Sequence, residues 1–184
     1  MDGFLSTLLV CLVASLATAN PQCDLGKQTV DKLDSKMFSG TWKAKYVMPV
    51  SFSQGKGRCW AVHFTPSGDG NFQATVSIKS PKSGKTISLM GSMKIVEDRI
   101  LKATFNENPA ATELAGLSGN YSVVGFDEGK GYLVIGGCPP MNNNKPAVWV
   151  SYRQYPPSED SLKASEAAIK ETGLKLEDFD ENCE

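Results

Sequence analysis

The chain has 184 residues, with 19 Lys plus Arg set against 20 Asp plus Glu. That near balance excludes a strongly basic nucleic-acid binder, whose affinity rests on neutralised phosphates. No stretch after the N-terminal segment approaches the ~18 uninterrupted apolar residues that a membrane-spanning helix requires, so the expectation is one soluble domain of ordinary size.

In chain order, the apolar run Phe4 to Leu16 is followed by Ala17-Thr18-Ala19, which has the small-x-small form of a signal-peptidase site. Residues 1–19 are therefore predicted to be a signal peptide, and residues 20–184 a secreted, extracellular domain. Cleavage removes Cys11 and leaves Cys23, Cys59, Cys138 and Cys183. An even number of cysteines in an oxidising compartment predicts two disulfides, and the spacing leaves all three pairings open. With His63 as the lone histidine and no C-x-x-C spacing, no metal site is expected.

After Pro21 the sequence breaks into short runs of β-branched and aromatic residues bounded by Gly, Pro, Asn, Asp or Ser. This rhythm predicts strands near 40–48, 58–66, 71–79, 85–95, 99–106, 120–126, 131–138 and 146–154. Turns such as Ser67-Gly68-Asp69-Gly70 and Glu128-Gly129-Lys130-Gly131 supply the positive φ that hairpins need, making neighbouring strands antiparallel. One helix is expected, with Ser158 as its cap, Leu162, Ala168 and Ile169 near one face and Gly173 as its stop.

Strict alternation in Phe72, Ala74, Val76, Ile78 and in Ile87, Leu89, Gly91, Met93, Ile95 gives each strand one dry face. Eight such strands close into an all-β, antiparallel, up-and-down barrel with the C-terminal helix packed outside. Its interior is wide enough to be filled or to hold one small ligand. Small residues at the inward positions Ala74, Gly91, Ala103 and Ala147 favour a cavity.

Ser39-Gly40-Thr41-Trp42, entering the first strand, resembles the G-x-W signature of lipocalins. Tyr121 to Asp127 is similar to the family's F–G motif, departing from T-D-Y at Gly125 and Phe126 and keeping Asp127, and Arg153 ends the eighth strand where lipocalins place an arginine across the tryptophan. Arg58-Cys59-Trp60, Gly136-Gly137-Cys138-Pro139 and the tail Leu174 to Cys183 look most like insect lipocalins, cockroach allergens first and triatomine salivary lipocalins next. The resemblance implies an eight-stranded lipocalin barrel with Cys23 paired to Cys138 and Cys59 to Cys183. Gly40, Trp42 and Arg153 are then structural, the guanidinium stacking on the indole in a cation–π contact.

Nitrophorin-like relatives hold haem through an inward histidine. If Cys59 faces outward to meet the tail, alternation turns His63 outward and Trp60, Val62 and Phe64 inward, so no haem and no other cofactor is expected, a bilin being admitted only as a bound ligand. A single outward histidine provides no Ser-His-Asp or Cys-His arrangement, and the chain is not expected to be an enzyme. Asn120-Tyr121-Ser122 is an N-glycosylation sequon.

The expected ligand-binding wall comprises Trp60, Val62 and Phe64 from the second strand and Phe72, Val76 and Ile78 from the third. Leu89, Met93, Leu101 and Phe105 follow from the fourth and fifth, then Tyr121, Leu133, Ile135 and Trp149. Lys56, Arg58, Lys82, Lys85 and Lys145 would rim the open end against Glu107 and Glu113. Together these features point to a secreted carrier of one small hydrophobic or amphipathic ligand: an odorant or pheromone, a fatty acid, a bilin or a biogenic amine. The alternative is a salivary-type lipocalin acting on a protein partner through its surface, antihaemostatic or allergen-like. No nucleic acid and no membrane insertion are expected, and the sequence does not set the oligomeric state.

Overall fold

A computed structural model describes residues 25, 30, 32–48, 58–80, 83–97, 100–106, 114, 116–143 and 145–183. The predicted signal peptide, Cys23, Lys56, Lys82, Glu107 and Glu113 lie outside the described residues.

A 3-10 turn, Ser35–Phe38, leads into β1, Gly40–Val47. The wall continues through β2 (Ala61–Gly68), β3 (Asn71–Lys79), β4 (Thr86–Val96), β5 (Ile100–Phe105), β6 (Gly119–Asp127), β7 (Tyr132–Gly137) and β8 (Ala147–Tyr152). Each strand pairs antiparallel with the next, and β1 pairs with both β8 and β2, so the sheet closes on itself as the expected eight-stranded up-and-down barrel. The helix α1, Glu159–Glu171, packs outside against β6 and β7. Ser158 caps it by accepting the Ser161 N–H at 3.2 Å.

Alternation decides what goes inside, and two irregularities adjust it. The β1–β8 register shifts between Ala44 and Tyr46, so Lys45 is extra; Trp42, Ala44 and Val47 face the interior while Tyr46 packs outside with Val148 and Val150. A similar shift between Val123 and Gly125 in β6 carries Phe126 toward the interior at the closed end.

The second strand starts at Ala61 rather than at residue 58. Cys59 has φ of +44°, outside the β region, and this turns the chain away from β1. The edge of β1 left open there is taken by a short ninth strand the sequence did not suggest, β9 (Asp180–Glu181), which pairs with Tyr46 and Val47. Asn182, next in the chain, is buried and ties the seam. Its backbone N–H donates to Lys45 O at 2.7 Å, its carbonyl accepts the Cys59 N–H, and its Oδ1 accepts the Trp60 N–H. The eighth strand ends at Tyr152, before Arg153 turns to the barrel floor.

The interior is packed as two clusters stacked along the barrel axis. At the closed end Phe38, Phe64 and Phe72 pack with ring centroids 5.4–5.8 Å apart, Phe38 stacked on Phe72 and Phe64 edge-on to both, joined by Trp42 and Leu101. Arg153 seals this end: its guanidinium lies 4.2 Å from the centre of the Trp42 ring and donates to the carbonyls of Ser39 and Met37. Gly40, at φ of +97°, leaves room for it, since a Cβ there would come within 3.1 Å of the Arg153 guanidinium. The second cluster, toward the open end, holds Trp60, Ile78, Leu89, Leu114 and Leu117.

Candidate functional site

Where the two clusters meet, they leave a cavity of about 80 Å³, measured as the space open to the centre of a water-sized sphere. Its wall is built strand by strand by inward positions. Strand β2 and the residue before it contribute Trp60, Ala61, Val62 and Phe64; β3 and β4 contribute Val76 and Met93; β5 contributes Phe105. Tyr121, Leu133, Ile135, Trp149 and Ser151 come from β6 to β8, Ala44 from β1 and Leu117 from the β5–β6 connection.

Ten of the fourteen expected wall residues therefore line this space, and Phe72, Ile78, Leu89 and Leu101 do not. All four point inward, but other side chains cover them. Phe72 and Leu101 are fully buried in the closed-end cluster, and Ile78 and Leu89 lie under Leu114 and Leu117. These two leucines are the only large apolar residues between 107 and 118 in the sequence, and both are buried with Ile78 and Leu89. The small residues also act differently from expectation. Ala74, Ala103 and Ala147 are buried away from the cavity. Gly91 instead seats an aromatic: a Cβ there would fall 2.5 Å from Phe105 Cδ1. Gly137 does the same beneath the Tyr121 ring, at 2.7 Å.

The wall is apolar and aromatic. Trp60 and Trp149 pack with centroids 5.8 Å apart, and Tyr121 lies 6.1 Å from Trp149. The Tyr121 hydroxyl donates to the Leu117 carbonyl, and burial holds its pKa well above the ordinary phenol value. Trp149 Nε1 is buried with no hydrogen-bond partner among the described residues. Ser151 is 5% exposed, sits between Ala44 and Leu133 in the sheet register, and makes no side-chain hydrogen bond to a described residue. It is the one aliphatic hydroxyl among the described lining residues, two positions along β8 from Trp149, and the sequence reading did not include it.

His63 is exposed on the outer face, where its Nδ1 lies 2.8 Å from Thr41 Oγ1, and it does not reach the cavity. Among the described residues no three His, Cys, Asp or Glu side chains are grouped to hold a metal ion, and no helix is long and apolar enough to cross a membrane. Cys59 is bonded to Cys183, closing a separation of 124 residues, and Cys138 is also disulfide-bonded. Asn120 is exposed at the start of β6. Of the expected rim charges, Lys85 and Lys145 are exposed and Arg58 is half-buried.

Neither a family model nor a curated protein sequence matches this chain. Solved structures do. The major allergen Per a 4 from cockroaches superposes with a TM-score of 0.71 at 17% identity, over 88% of this chain and 94% of that one. The tryptamine complex of the amine binding protein of Rhodnius prolixus gives 0.65 at 18% identity, over 87% and 85%. Lobster apocrustacyanin A1 gives 0.62 at 14% identity, over 81% and 78%. The closed eight-stranded barrel, the Trp42–Arg153 floor and these superpositions together identify the chain as having the lipocalin fold.

Proposed function

We propose that the protein is an exported carrier that binds one small, predominantly apolar molecule inside the barrel, without catalysis. The observation that carries this reading is the cavity itself: a partly open space walled by aromatic and aliphatic side chains between two buried apolar clusters. An amine-binding neighbour of the same fold supports a small-ligand role, and the Cys59–Cys183 disulfide suits an oxidising, extracellular setting.

Size narrows the ligand. A rounded cavity of 80 Å³, widened on every side by the ~1.4 Å radius of the sphere, offers on the order of 280 Å³ of molecular space, roughly ten to fifteen non-hydrogen atoms. This favours odorant-sized molecules over bilins and long-chain fatty acids. Burying about 300 Å² of ligand surface at ~25 cal/mol per Å² supplies about 7 kcal/mol before association costs, a ceiling on the order of ten micromolar from apolar area alone. Action through the outer surface has less support, because Met90 is the one large hydrophobic side chain exposed among the described residues.

Native mass spectrometry after incubation with a mixture of small aromatic and terpenoid molecules tests the reading, alongside tryptophan fluorescence. One bound molecule per chain and quenching from Trp60 and Trp149 are expected. No added mass and no quenching across the mixture would refute it.

A further inference from the structure

Three features of the cavity bear on what it recognises, and the polar ones are few. Ser151 is 95% buried, its hydroxyl has no partner among the described residues, and its neighbours in the lining are apolar. A hydroxyl that opens on a predominantly apolar cavity has few groups to pair with, and a ligand atom that pairs with it gains a hydrogen bond that a hydrocarbon cannot make. A water held there would compete for the same groups, since the Tyr121 hydroxyl, which donates to Leu117 O, can still accept.

The second feature lies on the same strand. Trp149 and Ser151 are two residues apart on the inward face of β8, and the Trp149 N–H is also buried and unpartnered among the described residues. Both groups can donate, and only the serine can also accept. The third feature is charge: no Asp, Glu, Lys or Arg is among the described lining residues, so none of them would compensate a charged ligand group for desolvation.

Resting on the carrier reading, we infer that the cavity takes a compact, uncharged molecule of about ten to fifteen non-hydrogen atoms carrying one hydrogen-bonding oxygen, and that the Ser151 hydroxyl is the group that selects it. The oxygen, in a ketone, alcohol or phenol, sits against β8. The hydrocarbon body fills the space between Trp60, Met93, Phe105 and Ile135.

Isothermal titration of the full mature chain with indane, 1-indanone and 2-aminoindane at neutral pH separates the terms, because the three share one frame. The ketone is expected to bind about five- to tenfold tighter than the hydrocarbon, the increment of one added buried hydrogen bond. Protonated 2-aminoindane should bind at least tenfold more weakly than indane. Ser151→Ala, which removes one oxygen atom, should abolish the ketone's advantage and leave indane affinity within about twofold. Equal affinity of ketone and hydrocarbon for the native chain overturns the inference without recourse to a variant, as does a preference that survives Ser151→Ala. Amine binding as tight as that of indane overturns the exclusion of charge. If none of the three binds, the carrier reading fails and this inference falls with it.

Discussion

Asn182 accepts the backbone N–H of Trp60 through its side-chain oxygen, at 3.4 Å, so a residue of the C-terminal tail completes the barrel wall beside the cavity. The strand that should lie there has turned away at Cys59, and the tail takes its place, held by the Cys59–Cys183 disulfide, the β9 pairing and the Lys45–Glu181 ion pair. The tail is thus part of the wall, and cutting it loose should matter to both stability and access.

Replacing Cys59 and Cys183 together by serine should lower stability by about 2–4 kcal/mol, as expected for a bridge across a long chain segment, measured by urea unfolding. Release of the tail should also raise acrylamide quenching of Trp60. A variant with native stability and native quenching would mean that the seam is closed without the tail.

Arg153 and Trp42 give the complementary expectation at the other end. Arg153→Ala removes the cation over the ring and two donors to carbonyls of Met37 and Ser39. The cost should be about 2 kcal/mol, or about 4–8 °C in Tm for a domain of this size. Arg153→Lys should recover only part of this, since an ammonium cannot match the planar fork of donors. Ligand affinity should change less than twofold in both, because neither residue lines the cavity. A Tm within 1 °C of the native value would show that the floor is held by aromatic packing alone.

The barrel was legible in the sequence because its information is local. Alternation in 71–79 and 86–96 fixes which side faces inward, and the G-x-W entry with Arg153 marks the floor. What escaped was set by distant segments. Nothing near Trp60 announces that Asn182 will pair with it, and the bulge at Lys45 appears only against β8. The cavity was legible in outline for the same reason. Alternation identifies inward residues, but Leu114 and Leu117 decide which of them remain uncovered, and Ser151 gains meaning only once its apolar surroundings are known.

Gly91 controls cavity shape more than its lack of a side chain suggests. An added Cβ would lie 2.5 Å from Phe105 Cδ1 and also 2.5 Å from the Thr104 carbonyl oxygen, and a backbone atom cannot step aside as a side-chain tip can. Gly91→Ala should therefore cost about 1–3 kcal/mol through strain between β4 and β5. By displacing Phe105, which lines the cavity, it should also weaken ligand binding at least threefold. Thermal unfolding and titration on the same sample check both; unchanged affinity with lowered stability would show that Phe105 yields outward.

The pH dependence of stability should be concentrated on the alkaline side. Burial pushes the Tyr152 hydroxyl up to about 12, against a partial opposing effect from its 2.7 Å hydrogen bond with Ser165. Burial also raises Tyr121, Tyr132 and Tyr155, while the hydrogen bond to Glu181 raises Lys45. In every case the folded state binds its proton more tightly than the unfolded chain does. The resulting stability is fully present below about pH 10, where both states are protonated, and is lost as pH rises through the folded-state values, because there the unfolded chain has given up protons that the folded one retains. Tm should be flat with respect to these groups from pH 7 to about pH 9.5 and then fall steeply toward pH 12. Tyrosinate absorbance should lag the titration of free tyrosine until unfolding exposes the rings. In Tyr152→Phe the alkaline fall should be shallower, since the buried hydroxyl that must ionise is gone. A fall of the same steepness would assign the alkaline transition to Lys45 and the other tyrosines instead.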